Sequence, residues 1–187
     1  MLQTKKDLKE YIAADKVAMG FDKKSMLKEW LKGHTDEILL MKYIISLRKL
    51  EYVSSNRKGL FRTIRYLIYK HRFLSLRRKR GIYLDPHVFD KGLKIVHFGY
   101  IWVSQTCKIG KNCTILPRVL LGKKRPGIKP PCILIGDNCY IGTGATIMGP
   151  IKIGNNVTIA AGAVVVKDIP DNAIVAGNPA KIIKMKE

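Results

Sequence analysis

From about residue 93, large aliphatic residues recur at every sixth position, whereas the preceding part of the chain has the spacing of helices. The repeated positions form two runs: Val103, Ile109, Ile115 and Leu121, then Ile135, Ile141, Ile147, Ile153, Ile159 and Val165. A helix repeats near every 3.6 residues and an ordinary strand every second residue, so neither explains this period. A fixed repeat of this kind is typical of a parallel β-helix, in which each unit supplies one short strand and one turn.

Two further features support the coil. A second slot, four positions after most of the aliphatics, also holds residues suited to burial, namely Cys107, Cys113, Val119, Cys139, Ala145, Ile151, Val157 and Ala163. A small residue follows the aliphatic at Gly110, Gly122, Gly136, Gly142, Gly154 and Ala160, where we expect it to permit a tight corner.

The segment KKRPGIKPPC at 123–132 breaks the period, so we predict an external loop there, and such loops often carry function.

Residues 1–80 show helical periodicity, so we predict an N-terminal helical region followed by a β-helix domain over 81–187. Three helices are predicted from residues that commonly cap a helix, namely Thr4 (with Asp7 completing a capping box), Ser25 and Thr35. Gly20 and Gly33 lie just beyond the ends of the first two. The predicted fold class is therefore mainly β, with helices at the N-terminus.

A fourth helix, predicted from about Lys58 to Arg77, is both amphipathic and basic. Its apolar face comprises Leu60, Ile64, Leu67, Ile68 and Leu74, and the basic residues Lys58, Arg62, Arg65 and Arg72 line up along one side. The stretch from Arg57 to Arg80 has ten basic residues and no acidic ones, in a chain of 187 residues with a formal net charge of +21. Two interpretations are a soluble helix with a charged outer face and a peripheral contact with an anionic membrane.

Composition and the first residues limit the broad class of protein. The chain is 47% hydrophobic and 26% charged, which is typical of a globular protein rather than a disordered one. The opening MLQTKKDLKE lacks the apolar core of a secretory signal, and no run reaches the roughly 18 apolar residues of a membrane-spanning helix. We therefore expect a cytoplasmic protein, in contact at most with the inner membrane surface.

The four cysteines and the histidines do not predict a metal site. The cysteines lack C-x-x-C spacing, and Cys107, Cys113 and Cys139 fall in the inward slot, where we expect reduced core residues. Cys132, at the end of the loop, is expected to be exposed. The repeat region contains one histidine, too few for a histidine-ligated metal.

The repeats and the ending DIPDNAIVAGNPAKII resemble the hexapeptide-repeat acyltransferases, and among them serine acetyltransferases and their relatives in surface-polysaccharide pathways. The resemblance covers about residues 81–184 and implies a left-handed parallel β-helix. It also implies a homotrimer, or a higher assembly, with acetyl-CoA in a groove between neighbouring β-helices. Coils with flat faces can pack side by side in such a closed ring. The implied reaction is acetyl transfer from acetyl-CoA to a hydroxyl, without a metal.

The resemblance places the catalytic base at His97. Histidine titrates near neutral pH and can take a proton from a hydroxyl that attacks a thioester. The family's acidic partner of this histidine corresponds to Tyr83 here, so Asp85 is the nearest acidic candidate, with Asp90 or a backbone carbonyl as alternatives. Asp85 also suits a simple turn before a proline. Backbone N–H groups near Gly122 are candidates to stabilise the oxyanion, although this glycine also suits a coil corner.

The resemblance assigns coenzyme A to Thr143 and Ala161. These residues are 18 positions apart, one full coil, so we expect them to stack on one face. Lys167, Lys181 and Lys184 are candidates for its phosphate groups, and ordinary solvated lysines are the alternative.

The acceptor is the point at which the sequence departs from serine acetyltransferases. Those enzymes carry an aspartate directly before the catalytic histidine and an Arg-His-Pro segment after the loop, whereas Val96 and the stretch 131–133, Pro-Cys-Ile, stand here. The expected acceptor is therefore a sugar hydroxyl on a glycan precursor, with L-serine as the alternative. A third interpretation is a non-catalytic basic scaffold that binds anionic polymers or membranes. Nucleic acid is not an expected partner of the enzyme.

Overall fold

The computed structural model describes residues 2–21, 30–31, 33, 35–127 and 131–187. The N-terminal part contains α1 (Lys5–Ala18), α2 (Thr35–Ser55) and α3 (Leu60–Arg80). The helix predicted from Ser25 falls mostly outside the described residues. No helix among the described residues is long and apolar enough to cross a membrane.

The predicted start of α1 is confirmed. The backbone N–H of Asp7 donates to Thr4 Oγ1 at 3.1 Å, and the backbone N–H of Thr4 donates to Asp7 Oδ2 at 2.9 Å. This reciprocal pair is the predicted capping box. In α2, the apolar side chains predicted to share one face, Leu40, Tyr43, Ile44 and Leu47, are all fully buried.

Short strands follow the helices and form three sheets, one on each face of a coil. Sheet A contains β1 (Ile82–Leu84), β3 (Ile101–Val103), β6 (Leu120–Lys123), β9 (Thr146–Gly149) and β12 (Val164–Val165). Sheet B contains β4 (Cys107–Ile109), β7 (Ile133–Ile135) and β10 (Ile151–Ile153). Sheet C contains β2 (Lys94–Ile95), β5 (Thr114–Ile115), β8 (Tyr140–Ile141), β11 (Thr158–Ile159), β13 (Ala173–Ala176) and β14 (Lys181–Met185).

The chain visits sheets A, B and C in turn, and each strand pairs in parallel with the strand one coil further along. Only β14 runs antiparallel, against β13. All ten aliphatics of the six-residue repeat are buried, and none is more than 5% exposed. The interpretation as a parallel β-helix is therefore confirmed.

The positions after the aliphatics require small residues for a different reason from the one expected. A Cβ atom at Gly142 would lie 2.7 Å from the backbone nitrogen of Ala161, and one at Gly136 would lie 2.8 Å from that of Asn155. These glycines make room for the backbone of the next coil, rather than permitting a tight corner. Gly122 differs, because a Cβ atom there would meet only Leu120 Cδ2, at 3.6 Å.

The apolar face predicted for the basic helix exists, but its main residues do not face the core. Leu60, Ile64, Leu67 and Ile68 are all exposed in α3. The side chains that pack inward lie on the opposite side of the helix, namely Tyr66, Tyr69, Phe73 and Leu76. The helix therefore has two apolar sides, and the tyrosine- and phenylalanine-bearing side is the buried one.

A buried arginine joins the helices to the first coil. Arg48 Nε donates to Asp15 Oδ2 at 2.8 Å and Arg48 Nη1 donates to Glu51 Oε2 at 3.0 Å. The same guanidinium donates to the carbonyl oxygens of Phe89 and Asp90, at 2.8 and 2.7 Å. Burial alone would lower the pKa of Arg48, but Glu51 and Asp15 outweigh this and raise it. The cation is thus a fixed part of the core.

All four cysteines are free and buried. The expectation that Cys132 is exposed is wrong, since only 2% of it is accessible. Its Sγ donates to Thr106 Oγ1 at 3.1 Å, so the chain has already returned to the coil when it reaches this residue.

Candidate active site

His97 lies two residues beyond β2, at the corner where the chain passes from sheet C to sheet A (the C–A corner). The backbone N–H of Val96 donates to the carbonyl of Ile115 on the next coil, at 3.2 Å, and holds this corner on the stack. The imidazole is exposed and makes no hydrogen bond to any described residue. It is therefore accessible to a substrate, on a rigidly supported backbone.

The pairing of sheet C sets a column of residues on this corner. Ile95 pairs with Ile115, which pairs with Ile141, which pairs with Ile159. Two residues further along the later strands, the same pairing aligns Pro117, Thr143 and Ala161, which we name the corner column. His97 lies at the same corner of the first coil, where the segment from Ile95 to Val103 is two residues longer than the matching segment from Ile115 to Leu121. Because of this extra length, Gly99 lies against Pro117, and a Cβ atom there would be 2.8 Å from Pro117 Cβ. Neighbouring strands lie about 4.8 Å apart, so the first coil is about 10 Å from Thr143 and about 14 Å from Ala161 along the stack.

The two residues assigned to coenzyme A are neighbours in this column. The backbone N–H of Gly162 donates to the carbonyl of Thr143 at 2.8 Å, as the one-coil spacing requires. Thr143 and Ala161 are both exposed. The C–A corner thus combines an exposed imidazole on the first coil with two small, accessible side chains further along the same edge.

The three candidate lysines do not form one cluster. Lys181 opens β14 and pairs with Ala176, at the end of sheet C nearest to Ala161. Lys184 pairs with Ile174, towards the opposite end of that strand, and Lys167 lies two residues beyond β12. All three are exposed. Only Lys181 is therefore placed beside the corner column.

Asp85 and Gly122 lie at a different corner, where sheet A leads towards sheet B (the A–B corner). Leu84 pairs with Val103 and Val103 pairs with Leu121, so the next residues, Asp85 just after β1 and Gly122 near the end of β6, are aligned two coils apart. A strand of three or four residues spans about 10–13 Å and separates them from the C–A corner. One chain alone does not bring them to His97.

Asp85 has other partners. Its Oδ1 accepts a hydrogen bond from Arg77 Nη1 at 2.9 Å, and its Oδ2 accepts one from the backbone N–H of Gln105 at 2.9 Å. The carboxylate lines a cavity of about 810 Å³ between α2, α3 and the first coil. Asp90 accepts from the backbone N–H of Lys91 at 2.7 Å. Neither aspartate bonds to His97, so within one chain the imidazole has no carboxylate partner among the described residues.

Arg118 is a site residue that the sequence reasoning missed. It follows Pro117 in the corner column, is exposed, and has a φ of 63°. The same position of the next two coils holds Gly144 and Gly162, with φ of 72° and 69°. A bulky residue in this left-handed conformation is unusual, and such positions concentrate at functional sites. Aligning the repeats would have revealed an arginine at a glycine position.

An aromatic surface lies next to the C–A corner on the outer side of sheet A. The ring of Trp102 stacks on those of Tyr83 and Tyr100, with centroids 5.2 and 6.4 Å away. Tyr100 and Trp102 are 50% and 41% exposed. The guanidinium of Arg77 lies 5.0 Å from the centroid of Tyr83, so the position that corresponds to the family's acidic residue is aromatic and next to a cation.

No metal site is apparent in the part of the chain that the structure describes, because no three His, Cys, Asp or Glu side chains are suitably grouped there. The chemistry available at the C–A corner is that of an imidazole, backbone amides, small side chains and cations.

The repeat region matches a known family. Residues 133–167 match the family "Bacterial transferase hexapeptide (six repeats)". The chain is also 42% identical over 106 residues to serine acetyltransferase 4 of Arabidopsis thaliana, which covers 55% of this chain and 29% of that protein. A serine acetyltransferase of Staphylococcus aureus is 40% identical over 107 residues, which covers 56% and 49% of the two chains. The chain spans less than half the length of these relatives.

Solved structures extend the likeness to nearly the whole chain. Soybean serine acetyltransferase, without ligand, superimposes with a TM-score of 0.70 at 26% identity, over 95% of this chain and 69% of that one. A Neisseria gonorrhoeae serine acetyltransferase in complex with serine gives a TM-score of 0.67 at 26% identity, over 96% and 70%. The fold is thus a left-handed parallel β-helix, and its repeats are similar to those of the hexapeptide-repeat acyltransferases. More particularly, the chain is serine acetyltransferase-like, as its repeats and ending predicted.

Proposed function

We propose that the protein transfers the acetyl group of acetyl-CoA to a hydroxyl, with His97 as the general base. The C–A corner carries this proposal, because it holds the accessible imidazole of the first coil on the same edge as Thr143 and Ala161 of later coils. The names of the matched relatives support the same reaction class.

The proposed reaction needs one proton carrier and one oxyanion site. The hydroxyl oxygen attacks the thioester carbonyl carbon while His97 takes the hydroxyl proton. Backbone N–H groups stabilise the negative oxygen of the tetrahedral intermediate. The carbon–sulfur bond then breaks, and the imidazolium returns its proton to the departing sulfur. The products are an O-acetyl ester and free CoA, and His97 is regenerated.

The separation of the two corners favours a site shared between copies of the chain. His97 lies at the C–A corner and Gly122 at the A–B corner, a strand length apart. When two coils pack side by side in a ring, unlike corners of neighbouring copies come together. In the proposed homotrimer, the coenzyme lies in this groove along Thr143 and Ala161, with Lys181 beside its phosphates. Gly122 of a neighbouring copy supplies the backbone donor.

L-Serine is the acceptor that the comparisons favour, since the matched relatives are named serine acetyltransferases. We therefore rank L-serine ahead of a sugar as the proposed acceptor. A sugar hydroxyl remains a second candidate because of one observation, the exposed aromatic surface of Tyr100 and Trp102 next to His97. Val96 also leaves this corner without the aspartate of the family pattern.

Release of CoA thiol from acetyl-CoA tests the proposal, first with L-serine and then with nucleotide sugars and glycan acceptors. We expect His97→Asn to lower kcat by about 10²–10⁴-fold. His71→Asn is a matched control, because His71 is also exposed but lies on α3, and it should retain full turnover. Circular dichroism and the molecular mass should be unchanged in both variants. Turnover that survives His97→Asn would contradict the role of His97, and no release with any acceptor would favour the non-catalytic scaffold.

A further inference from the structure

The first half of α3 exposes an apolar stripe that plays little part in the core of the chain. Its members, which we call the α3 stripe, are Leu60, Phe61, Ile64, Leu67 and Ile68, and they are 45% to 87% exposed. Positions that recur at intervals of three and four share one side of a helix. Contiguous exposed apolar surface of this kind commonly marks an interaction site.

The orientation of α3 is set by its other side. Phe73 is 1% exposed, and Tyr66, Tyr69 and Leu76 pack against the core around it. The ring of Phe73 lies 5.4 Å from that of Tyr43 in α2. The helix is therefore anchored by this inward side, and the packing keeps the α3 stripe turned outward.

Cations lie on the same side of α3 as the stripe. Arg72, Arg78 and Lys79 are exposed at positions that continue this side or flank it, and the stretch from Arg57 to Arg80 contains no acidic residue. The surface thus offers an apolar strip and a dense positive charge on one helix of 21 residues, about 30 Å long.

We propose that this side of α3 docks on an anionic phospholipid bilayer. The α3 stripe enters the boundary between headgroups and acyl chains, and the neighbouring arginines contact lipid phosphates. This inference goes beyond the transfer reaction and does not depend on it.

The charge favours a bilayer over other occupants. A second copy packed through the same surface would set its own acid-free stretch 57–80 against this one, cation against cation. Nucleic acid would satisfy the arginines, but it offers no apolar layer for Phe61, the most exposed member of the stripe. An anionic bilayer supplies both the charge and the apolar layer.

Flotation of the full chain with vesicles tests the proposal. One vesicle set is phosphatidylcholine alone, and the other contains phosphatidylglycerol in addition. We expect binding to the anionic vesicles only, weakened as salt is raised. The double variant Phe61→Ser/Leu67→Ser should bind at least about tenfold more weakly, because two large apolar groups no longer enter the bilayer. Arg72→Gln/Arg78→Gln should also weaken binding, by about fivefold for each charge.

A matched control is Ile182→Ser/Ile183→Ser, which removes two exposed apolar side chains from β14 and should leave binding unchanged. Thermal unfolding and CoA release without lipid should be equal in the α3 double variant and the parent chain. The proposal is overturned if that variant binds vesicles as tightly as the parent, or if neutral vesicles bind equally well. It is also overturned if the parent binds duplex DNA but no vesicles, or if the α3 substitutions change only the mass of the assembly in solution.

Discussion

Arg48 Nε lies 2.8 Å from Oδ2 of Asp15, and neither side chain is exposed to solvent. Glu51, 1% exposed, shares the same guanidinium. The substitution Arg48→Met would leave the buried carboxylates of Asp15 and Glu51 without their cation. It should therefore lower the free energy of unfolding by about 3–5 kcal/mol. Denaturant unfolding followed by circular dichroism measures this loss. Arg62→Met, at an exposed position, is the control and should change little, and equal midpoints for the two variants would contradict the structural role of Arg48.

We expect the Asp85 carboxylate to stabilise the fold and not to act on His97. Asp85→Asn removes the charge that pairs with Arg77, so we expect a loss of about 1 kcal/mol and a Tm lower by about 2–4 °C. Asp168→Asn is a matched control, since Asp168 also accepts from a backbone N–H, that of Lys152, at 2.8 Å. The pH profile of kcat/KM should be the same in Asp85→Asn and the parent. A shifted profile would mean that this carboxylate reaches His97 across an interface.

Two glycines of the repeat should respond oppositely to alanine. Gly142→Ala places a Cβ atom against the backbone of the next coil, at 2.7 Å from the nitrogen of Ala161, and should destabilise the fold by about 1–3 kcal/mol or more. Gly122→Ala has free space and a φ outside the left-handed region, so its unfolding midpoint should be unchanged or slightly higher. The measurement is a comparison of the unfolding midpoints of the two variants. Equal losses in both variants would show that corner geometry, rather than coil stacking, requires glycine.

The thiols should be inert in the folded chain. Burial raises the pKa of Cys107 to about 12, and it also raises the pKa of Cys113 and Cys139. Because the thiolate is the reactive form, labelling by a disulfide reagent at mildly alkaline pH should be about 100-fold slower than in denaturant. The native rate should rise as the pH rises, since more thiolate forms. One rapidly labelled thiol, lost in Cys132→Ser, would show that the end of the loop opens in solution.

The coil could be predicted from sequence because every repeat faces the same environment. Each inward aliphatic fills the same space, so a period of six appears whether or not the neighbours are known. The apolar face of α3 could not be oriented in this way. Leu60 and Ile64 have helical spacing, but so do Tyr69 and Phe73, and only contact with α2 decides which side is buried.

The geometry of the candidate site was predictable only in part, for a similar reason. The 18-residue spacing of Thr143 and Ala161 is a property of the repeat, so their alignment was predictable. Asp85 is close to His97 along the chain, yet it lies beyond a different sheet, and only the coil reveals this. Arg118 was detectable, because its counterparts Gly144 and Gly162 occupy the same place in later repeats.

The corner column also sets a fixed spacing. Each turn of the coil advances the edge by one step, so the distance between two ligand contacts on the column is a whole number of steps. Evolution can lengthen or shorten the site for a different acyl carrier only by adding or deleting entire turns. An insertion of any other length must leave the coil, and the segment KKRPGIKPPC, which breaks the period of six, is an insertion of that kind.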